Sequence, residues 1–265
     1  MNGRARKTSQ FDRILVLDPN MATAKMLANL LRALSPSAQV YGAQDAEKAM
    51  LLAGEVDPQL VFVEAAAPNL NGMAFTRAFR RSDLTCREAP IIMVFTEVLG
   101  TQILGARDSG VHEFLRRPIS LGDLERRLDA VSGRPRDWIE AVHYVGPDRR
   151  RFNSADFQGP SKRRTDGTKT GQKINQALRI VQSASRQVDA DPVQAARALS
   201  TQARVLIELS AGHDQLRRLA LAATAFQTYL QSAARQGAPL ARDQAEAHAA
   251  NVIQAAPDKV RPEAA

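Results

Sequence analysis

Five short apolar runs, each followed by a stretch with helical spacing, constrain this chain more than any other feature. They are Arg13-Leu17, Gln39-Ala43, Leu60-Val63, Ile91-Phe95 and His112-Leu115. The third and fourth runs are nearly continuous in apolar residues, the pattern of strands in a parallel sheet covered on both faces. Asn20 is placed to cap the first helical stretch, whose Leu27, Leu30, Leu31 and Leu34 share one face. The second stretch covers 46–53. The third starts near Gly72 and carries Phe75, Ala78 and Phe79. The fourth covers 100–108, with Gly110 as a left-handed stop, and the fifth covers 121–131 ahead of Gly133 and Pro135. This alternation predicts an α/β domain over residues 11–133, built on a five-stranded, doubly wound parallel sheet.

Beyond residue 133 the composition changes. Residues 134–168 hold Pro135, Pro147 and Pro160 and a cluster of cations. From Arg149 to Arg164 there are six basic residues against the single acid Asp156, a local stripe within a chain of net charge +8. The expectation is a basic linker. Gly146-Pro147 and Gly159-Pro160 each precede paired cations, which a random linker has no reason to repeat. Residues 169–256 are helical in pattern throughout. Ile174, Leu178, Val181 and Val188 form one stripe, and a second helix opens at Asp191 with Pro192 first and Gln194 placed for a reciprocal cap. A third carries Leu216, Leu219, Ala223, Phe226, Leu230 and Ala233 at 3-4 spacing. That seam suits a homodimer or partner contact through Leu216, Leu219, Phe226 and Leu230, or else closure of the helical region on itself. Residues 257–265 are expected to be a disordered tail.

Several classes are excluded. One cysteine, Cys86, gives no disulfide framework and fits a reducing compartment. No apolar run approaches the ~18–20 residues of a membrane span. The first ten residues are polar and basic with no apolar stretch behind them, so the expected location is the cytoplasm. His112, His143, His213 and His248 are scattered without metal-ligand spacing. Trp138 is expected to pack the segment after the fifth helix onto the α/β domain.

In open parallel sheets the working site lies at the carboxyl ends of the strands. Here those ends carry Asp18 and Pro19, then Glu64, then Phe95 and Thr96, then Arg117-Pro118. With these residues in this order, and with the loop from Pro68 to Gly72, residues 11–133 resemble the receiver domain of response regulators, the CheY-like fold. The resemblance implies a phosphorelay signalling protein rather than an enzyme, with a histidine kinase or another signalling protein as partner. It also implies a chemistry in which two acids and a carbonyl hold Mg²⁺ while an aspartate takes up a phosphoryl group. A Ser or Thr and a Lys then hold the phosphoryl oxygens.

This chain departs at nearly every one of those places. Asp18 matches the first acid, but Pro19 offers no ligand atom at the second, leaving at most a weak Mg²⁺ site. Glu64 replaces the acceptor and is one methylene longer. Phe95 replaces the hydroxyl, with Thr96 one residue late and so on the opposite face. Arg117 replaces the lysine with a planar, longer cation. The expectation is a pseudo-receiver without aspartyl phosphorylation and without a required cofactor, in which Glu64 pairs with Arg117. A phosphorylatable site with altered chemistry is the alternative.

The run Tyr144-Val145-Gly146-Pro147-Asp148-Arg149-Arg150-Arg151, with its second Gly-Pro, resembles the basic tail of a bacterial subgroup of single-receiver proteins. Some CheY-like proteins bind cyclic di-GMP through arginine-rich stretches. The resemblance therefore allows nucleotide binding by Arg149, Arg150, Arg151, Lys162, Arg163 and Arg164, since arginine grips phosphate bidentately. A solvated linker is the plain alternative. Nucleic acid is disfavoured, because only Phe152 and Phe157 lie among the cations and no recognition helix is evident.

Overall fold

The computed structural model describes residues 11–96, 100–133, 136–149 and 169–262. Among these the chain divides into two compact units, residues 11–139 with 144–149, and residues 140–143 with 169–262.

The first unit alternates strand and helix as its apolar runs require. β1 (Arg13–Leu17) leads to α1 (Met21–Leu34), β2 (Gln39–Ala43) to α2 (Ala46–Val56), and β3 (Leu60–Glu64) to a tight ribbon. The ribbon pairs β4 (Ala66–Ala67) with β5 (Leu70–Asn71), and α3 (Gly72–Arg81) follows. β6 (Ile91–Phe95), α4 (Gly100–Ser109), β7 (Glu113–Arg116) and α5 (Leu121–Gly133) complete the repeat. The main sheet runs β2-β1-β3-β6-β7, all parallel, so β2 and β7 are its edges. Residue alternation along the strands sorts the core into two layers. Ile14, Val16, Phe62, Ile92 and Val94 pack with Leu27, Leu31, Leu124 and Leu128 of α1 and α5. Leu15, Leu17, Val61, Val63 and Met93 pack with Ala49 and Ala53 of α2 and with Phe75 and Phe79 of α3. Every residue of β3 and β6 is buried, which is why those two runs carry hardly any polar residue.

Helix ends follow local chemistry. Asn20 Oδ1 accepts from the backbone N–H groups of Ala22 and Thr23, Asp45 caps α2, and Asn71 caps α3. Gly72 starts α3 against the end of β3, where a Cβ would stand 2.2 Å from the carbonyl oxygen of Glu64. No other residue lets the helix begin so close to the strand.

The segment from 134 onward, expected as linker, does not remain one. β8 (Trp138–Glu140) and β9 (Val145–Pro147) pair as a second short sheet, and Tyr144 and Val145 are buried. The Gly-Pro pair at 146–147 has a packing reason. Gly146 has φ +153°, and a Cβ there would lie 2.7 Å from the Cα of Gly110. Gly110 itself has φ +101°, and a Cβ on it would lie 2.5 Å from the carbonyl oxygen of Val145. Two glycines let two backbones touch.

Beneath them is Arg80, wholly buried and without a carboxylate partner. Its guanidinium donates to the carbonyls of Gly110, Arg87 and Ala89 and lies 5.2 Å from the centre of the Trp138 ring. Trp138 thus holds this segment to the domain, as expected, through a cation–π contact. Burial lowers the pKa of Arg80 to about 9. Arg80 Nη2 and the Ile91 N–H both lie 3.2 Å from His112 Nδ1, so that nitrogen is the acceptor and the ring is neutral.

In the second unit α6 (Lys169–Ser185), α7 (Pro192–Ser210), α8 (Arg217–Gln236) and α9 (Arg242–Ala255) form a closed ring, α6 on α7, α7 on α8, α8 on α9 and α9 on α6. This placement corrects the expectation of a homodimer seam. Leu216, Leu219, Phe226 and Leu230 are buried inside their own unit, among Leu178, Val181, Leu199 and Val252. The reciprocal cap at Asp191 is only half made. Asp191 accepts from the Gln194 N–H, while the Asp191 N–H donates to the Gln187 carbonyl and Gln194 Nε2 donates to Glu140 Oε1 at 2.7 Å. Gln202 Nε2 donates to the Glu140 carbonyl at 3.1 Å, so residue 140 is held by two helix glutamines. The expected tail from 257 is ordered at its start. A 3₁₀ turn covers Asp258–Val260, and Asn175 Nδ2 donates to the Val260 carbonyl.

Two outcomes test these contacts. Gly146→Ala should destabilise the first unit by about 1–3 kcal/mol, since the new Cβ overlaps the Gly110 backbone; urea unfolding reads the change. His112 is held well below its ordinary 6.5, first by burial and then by Arg80 and Arg136. An unfolded chain therefore takes up a proton that the folded one refuses, and stability falls as pH drops below 6.5. Unfolding midpoints at pH 7.5 and pH 5 should differ less in His112→Asn, which keeps an acceptor but has nothing to titrate.

Candidate functional site

The carboxyl ends of β1, β3, β6 and β7 meet at one place, as a parallel sheet dictates. Arg117, just past β7, reaches across the sheet end. Its Nη2 donates to Asp18 Oδ2 at 2.7 Å and to Glu64 Oε2 at 2.9 Å, and its Nε lies 3.2 Å from the same Glu64 oxygen. Asp18 is 3% exposed and Glu64 6%, and the Arg117 side chain is 11% exposed, so the cluster is largely dry. The paired cation expected for Glu64 is present, and it holds Asp18 as well.

Both oxygens of Asp18 accept further hydrogen bonds. Thr23 Oγ1 donates to Oδ2 at 2.5 Å and the Asn20 N–H donates to Oδ1 at 2.9 Å. Asn20 is legible in the sequence only as the cap of α1, and Thr23, in the first turn of that helix, has no signal there beyond its spacing from Asp18. Pro19 is half-buried and contributes no side-chain donor or acceptor.

Phe95 is buried and meets Phe114 edge-on, with centroids 5.7 Å apart. Thr96 is exposed, one residue past the strand. Arg117 Nη1 is buried and makes no hydrogen bond.

The electrostatics do not simply favour charge. Burial raises the pKa of Glu64 above its ordinary value, and the nearby Asp18 adds to that. Hydrogen bonding and attraction from Arg117 oppose the rise without overcoming it. Among the described residues no group of three His, Cys, Asp or Glu side chains is placed to hold a metal ion. Mg²⁺ needs free oxygen ligands in octahedral array. The donor set here does not fit: Asp18 is fully engaged, Glu64 shares its Oε2 with Arg117, and position 19 is a proline.

Of the arginine stripe, Arg149 is described. Arg149 donates to Asp108 Oδ1 at 2.7 Å and its guanidinium stands 4.2 Å from the Tyr144 ring centre. Arg150, Arg151, Lys162, Arg163 and Arg164 lie outside the described residues. Cys86 is buried, its thiol pushed up to about 11 by burial, which suits packing and not nucleophilic attack.

Residues 14–129 match the response regulator receiver domain. Curated relatives match a stretch of similar length. CheY1 of Helicobacter pylori is 25% identical over 121 residues, 46% of this chain and 97% of that protein. The response regulator PleD of Caulobacter vibrioides is 33% identical over 125 residues, 47% of this chain and 26% of that protein. A protein-glutamate methylesterase/protein-glutamine glutaminase of Nocardioides sp. is 29% identical over 122 residues, 45% of this chain. The chain thus spans about a third of that enzyme's length, 32%. Among solved structures, CheY4 of Vibrio cholerae aligns with 20% identity and a TM-score of 0.42, covering 46% of this chain and 99% of that one. The sheet order, the converging strand ends and the matched stretch agree: residues 14–129 of this chain form a CheY-like response regulator receiver domain.

Proposed function

We propose that this receiver signals by binding a protein partner and does not pass through an aspartyl phosphate. The supporting observation is the position of Arg117. A phosphoryl group on residue 64 would need the space and the carboxylate oxygen that the guanidinium already takes at 2.9 Å. The metal that neutralises charge in that reaction would need oxygens of Asp18 that Arg117, Thr23 and Asn20 engage. Positioning errors near 1 Å already reduce such steps about 100-fold. Arg117 supplies permanently the positive charge that a metal and lysine would supply during turnover. The cluster is therefore a fixed brace between β1, β3 and the loop after β7. A docking face formed by α4, β7 and α5 fits this role, since Leu104 and Leu121 are exposed on it. A histidine kinase or another phosphorelay protein is the partner class, in a cytoplasmic setting. Among the described residues no helix is long and apolar enough to cross a membrane.

Nucleotide capture by the arginine stripe is the second reading. Arg149, the one member described, is already engaged with Asp108 and Tyr144, so a phosphate there competes with an existing pair.

Incubation with acetyl phosphate and Mg²⁺ should add no phosphoryl mass to the chain. Glu64→Asp should remain unmodified too, because Arg117 still occupies the approach; an adduct on Asp18 or residue 64 in either protein refutes the proposal. Protonation offers a second check. The folded state holds the Glu64 proton more tightly than the ordinary 4.5, so the stability this group contributes is full below 4.5 and is lost as pH rises through its raised value. Glu64→Gln mimics the protonated form. Its thermal midpoint should exceed the parent's at pH 7, and the difference should vanish below pH 4.5; a lower midpoint at pH 7 shows that the ionised pair stabilises.

A further inference from the structure

A groove of about 270 Å³ runs along the free edge of the receiver sheet, between α1 and β2, away from the α4–β7–α5 face. Its floor exists because the residues there are small: Ala24 and Ala28 on α1, and Gly42 and Ala43 on β2. Register places Gly42 beside Val16 on the α1 side of the sheet, where a strand residue ordinarily sends a side chain. A Cβ on Gly42 would meet nothing within 4 Å. The groove is open where a β-branched residue would close it.

β2 borders this space with unused backbone. Gln39 donates to Asp12 and the Ala43 carbonyl accepts from Asp18, so by alternation Gln39, Tyr41 and Ala43 turn their peptide groups toward β1. Val40 and Gly42 turn theirs outward, at an edge that no further strand among the described residues covers. Such an edge is a template for one more strand unless it is blocked. A proline or an inward charge would block it, and β2 has neither.

Three of the four charged residues that line the groove are cations. Lys25, Arg32 and Lys48 line it and are exposed, and their side chains make no hydrogen bond or ion pair among the described residues. Lys25 and Arg32 lie two turns apart on α1, about 10 Å along its axis, which is three residues of an extended chain. The only lining acid, Asp18, is already neutralised by Arg117.

We propose that this groove receives an extended acidic segment of a partner protein, which adds as a sixth strand beside β2 and sets carboxylates against Lys25, Arg32 and Lys48. Backbone pairing with Val40 and Gly42 supplies affinity, and the three cations select for acidity. The segment comes from another protein. The residues of this chain outside the description, 1–10, 97–99, 134–135, 150–168 and 263–265, contain no acidic run and are largely basic.

The test uses the full chain labelled with ¹⁵N and a capped eight-residue peptide of alternating glutamate and valine, with an alternating lysine and valine peptide as control. The acidic peptide should shift the amide resonances of Val40 and Gly42 and slow their hydrogen exchange, with binding that weakens as salt rises. Gly42→Val, which fills open space without strain, should reduce affinity at least tenfold. Lys25→Ala, Arg32→Ala and Lys48→Ala should each reduce it by about two- to fivefold, the range of an exposed ion pair. Equal binding of the two peptides, shifts confined to the arginine stripe, or undiminished binding to Gly42→Val overturns the proposal. So does displacement by glutamate alone at equal carboxylate concentration, which would mark a site for small anions and not for a strand.

Discussion

One guanidinium holds the end of this sheet together. Arg117 spans from the loop after β7 to Asp18 at the end of β1 and Glu64 at the end of β3, at 2.7 and 2.9 Å. Two buried carboxylates this close to each other repel, and without the cation at least one must take up a proton. Lysine offers a single point of charge. Arginine offers a planar fork, with Nε and Nη2 on one carboxylate while Nη2 also reaches the other. The strand ends are fixed relative to one another as a result. The direction of the Glu64 shift shows that this fixity is not simply a gain in stability, because burial outweighs attraction at that residue. The cluster specifies a geometry, in keeping with the general behaviour of buried ion pairs.

Much of the first unit was legible because period carries it. A fully buried strand must be apolar along its whole length, and β3 and β6 are; an amphipathic helix must repeat at 3.6, and α1 does. The strand-end residues were legible because a parallel sheet brings all its carboxyl ends together, whichever residues stand there. What sequence could not supply was pairing. Arg80 and Arg81 are adjacent cations at the end of α3, and nothing local says that the first is wholly buried under Trp138. The hairpin after residue 136 was hidden for a similar reason. Glycine, proline and arginine read as linker by composition, yet Gly146 is there because Gly110, in a distant loop, needs the space.

The helical unit makes the same point from the other side. A 3-4 stripe states that a face is buried and is silent on what buries it. Leu216, Leu219, Phe226 and Leu230 suited a second copy as well as they suited their own chain, and three neighbouring helices supply the answer. Gln194 is subtler. A glutamine three residues after Asp191 is the sequence sign of a reciprocal cap, but the Asp191 N–H donates to the Gln187 carbonyl, and the Gln194 Nε2 donates to the buried Glu140 carboxylate. Local rules decide where the helix starts, and the nearest buried charge decides where the side chain goes.

A receiver braced in this way differs from a switching one in how its signal can end. An acyl phosphate is removed by hydrolysis, so its lifetime is set by the same site that made it. On the reading proposed above, no covalent state is cycled, and the output varies with the fraction of domains that hold a partner. A partner shifts conformation only as far as its affinities for two states differ. On that reading the strand ends stay in one arrangement, and binding itself would be the signal and dissociation its end. That places selective weight on surfaces and not on the cluster. It also gives a reason for an edge strand left open beside unpaired cations. An edge of that kind risks aggregation, and a fold that keeps one uncovered, with Gly42 where a larger residue fits without strain, retains the geometry of a contact.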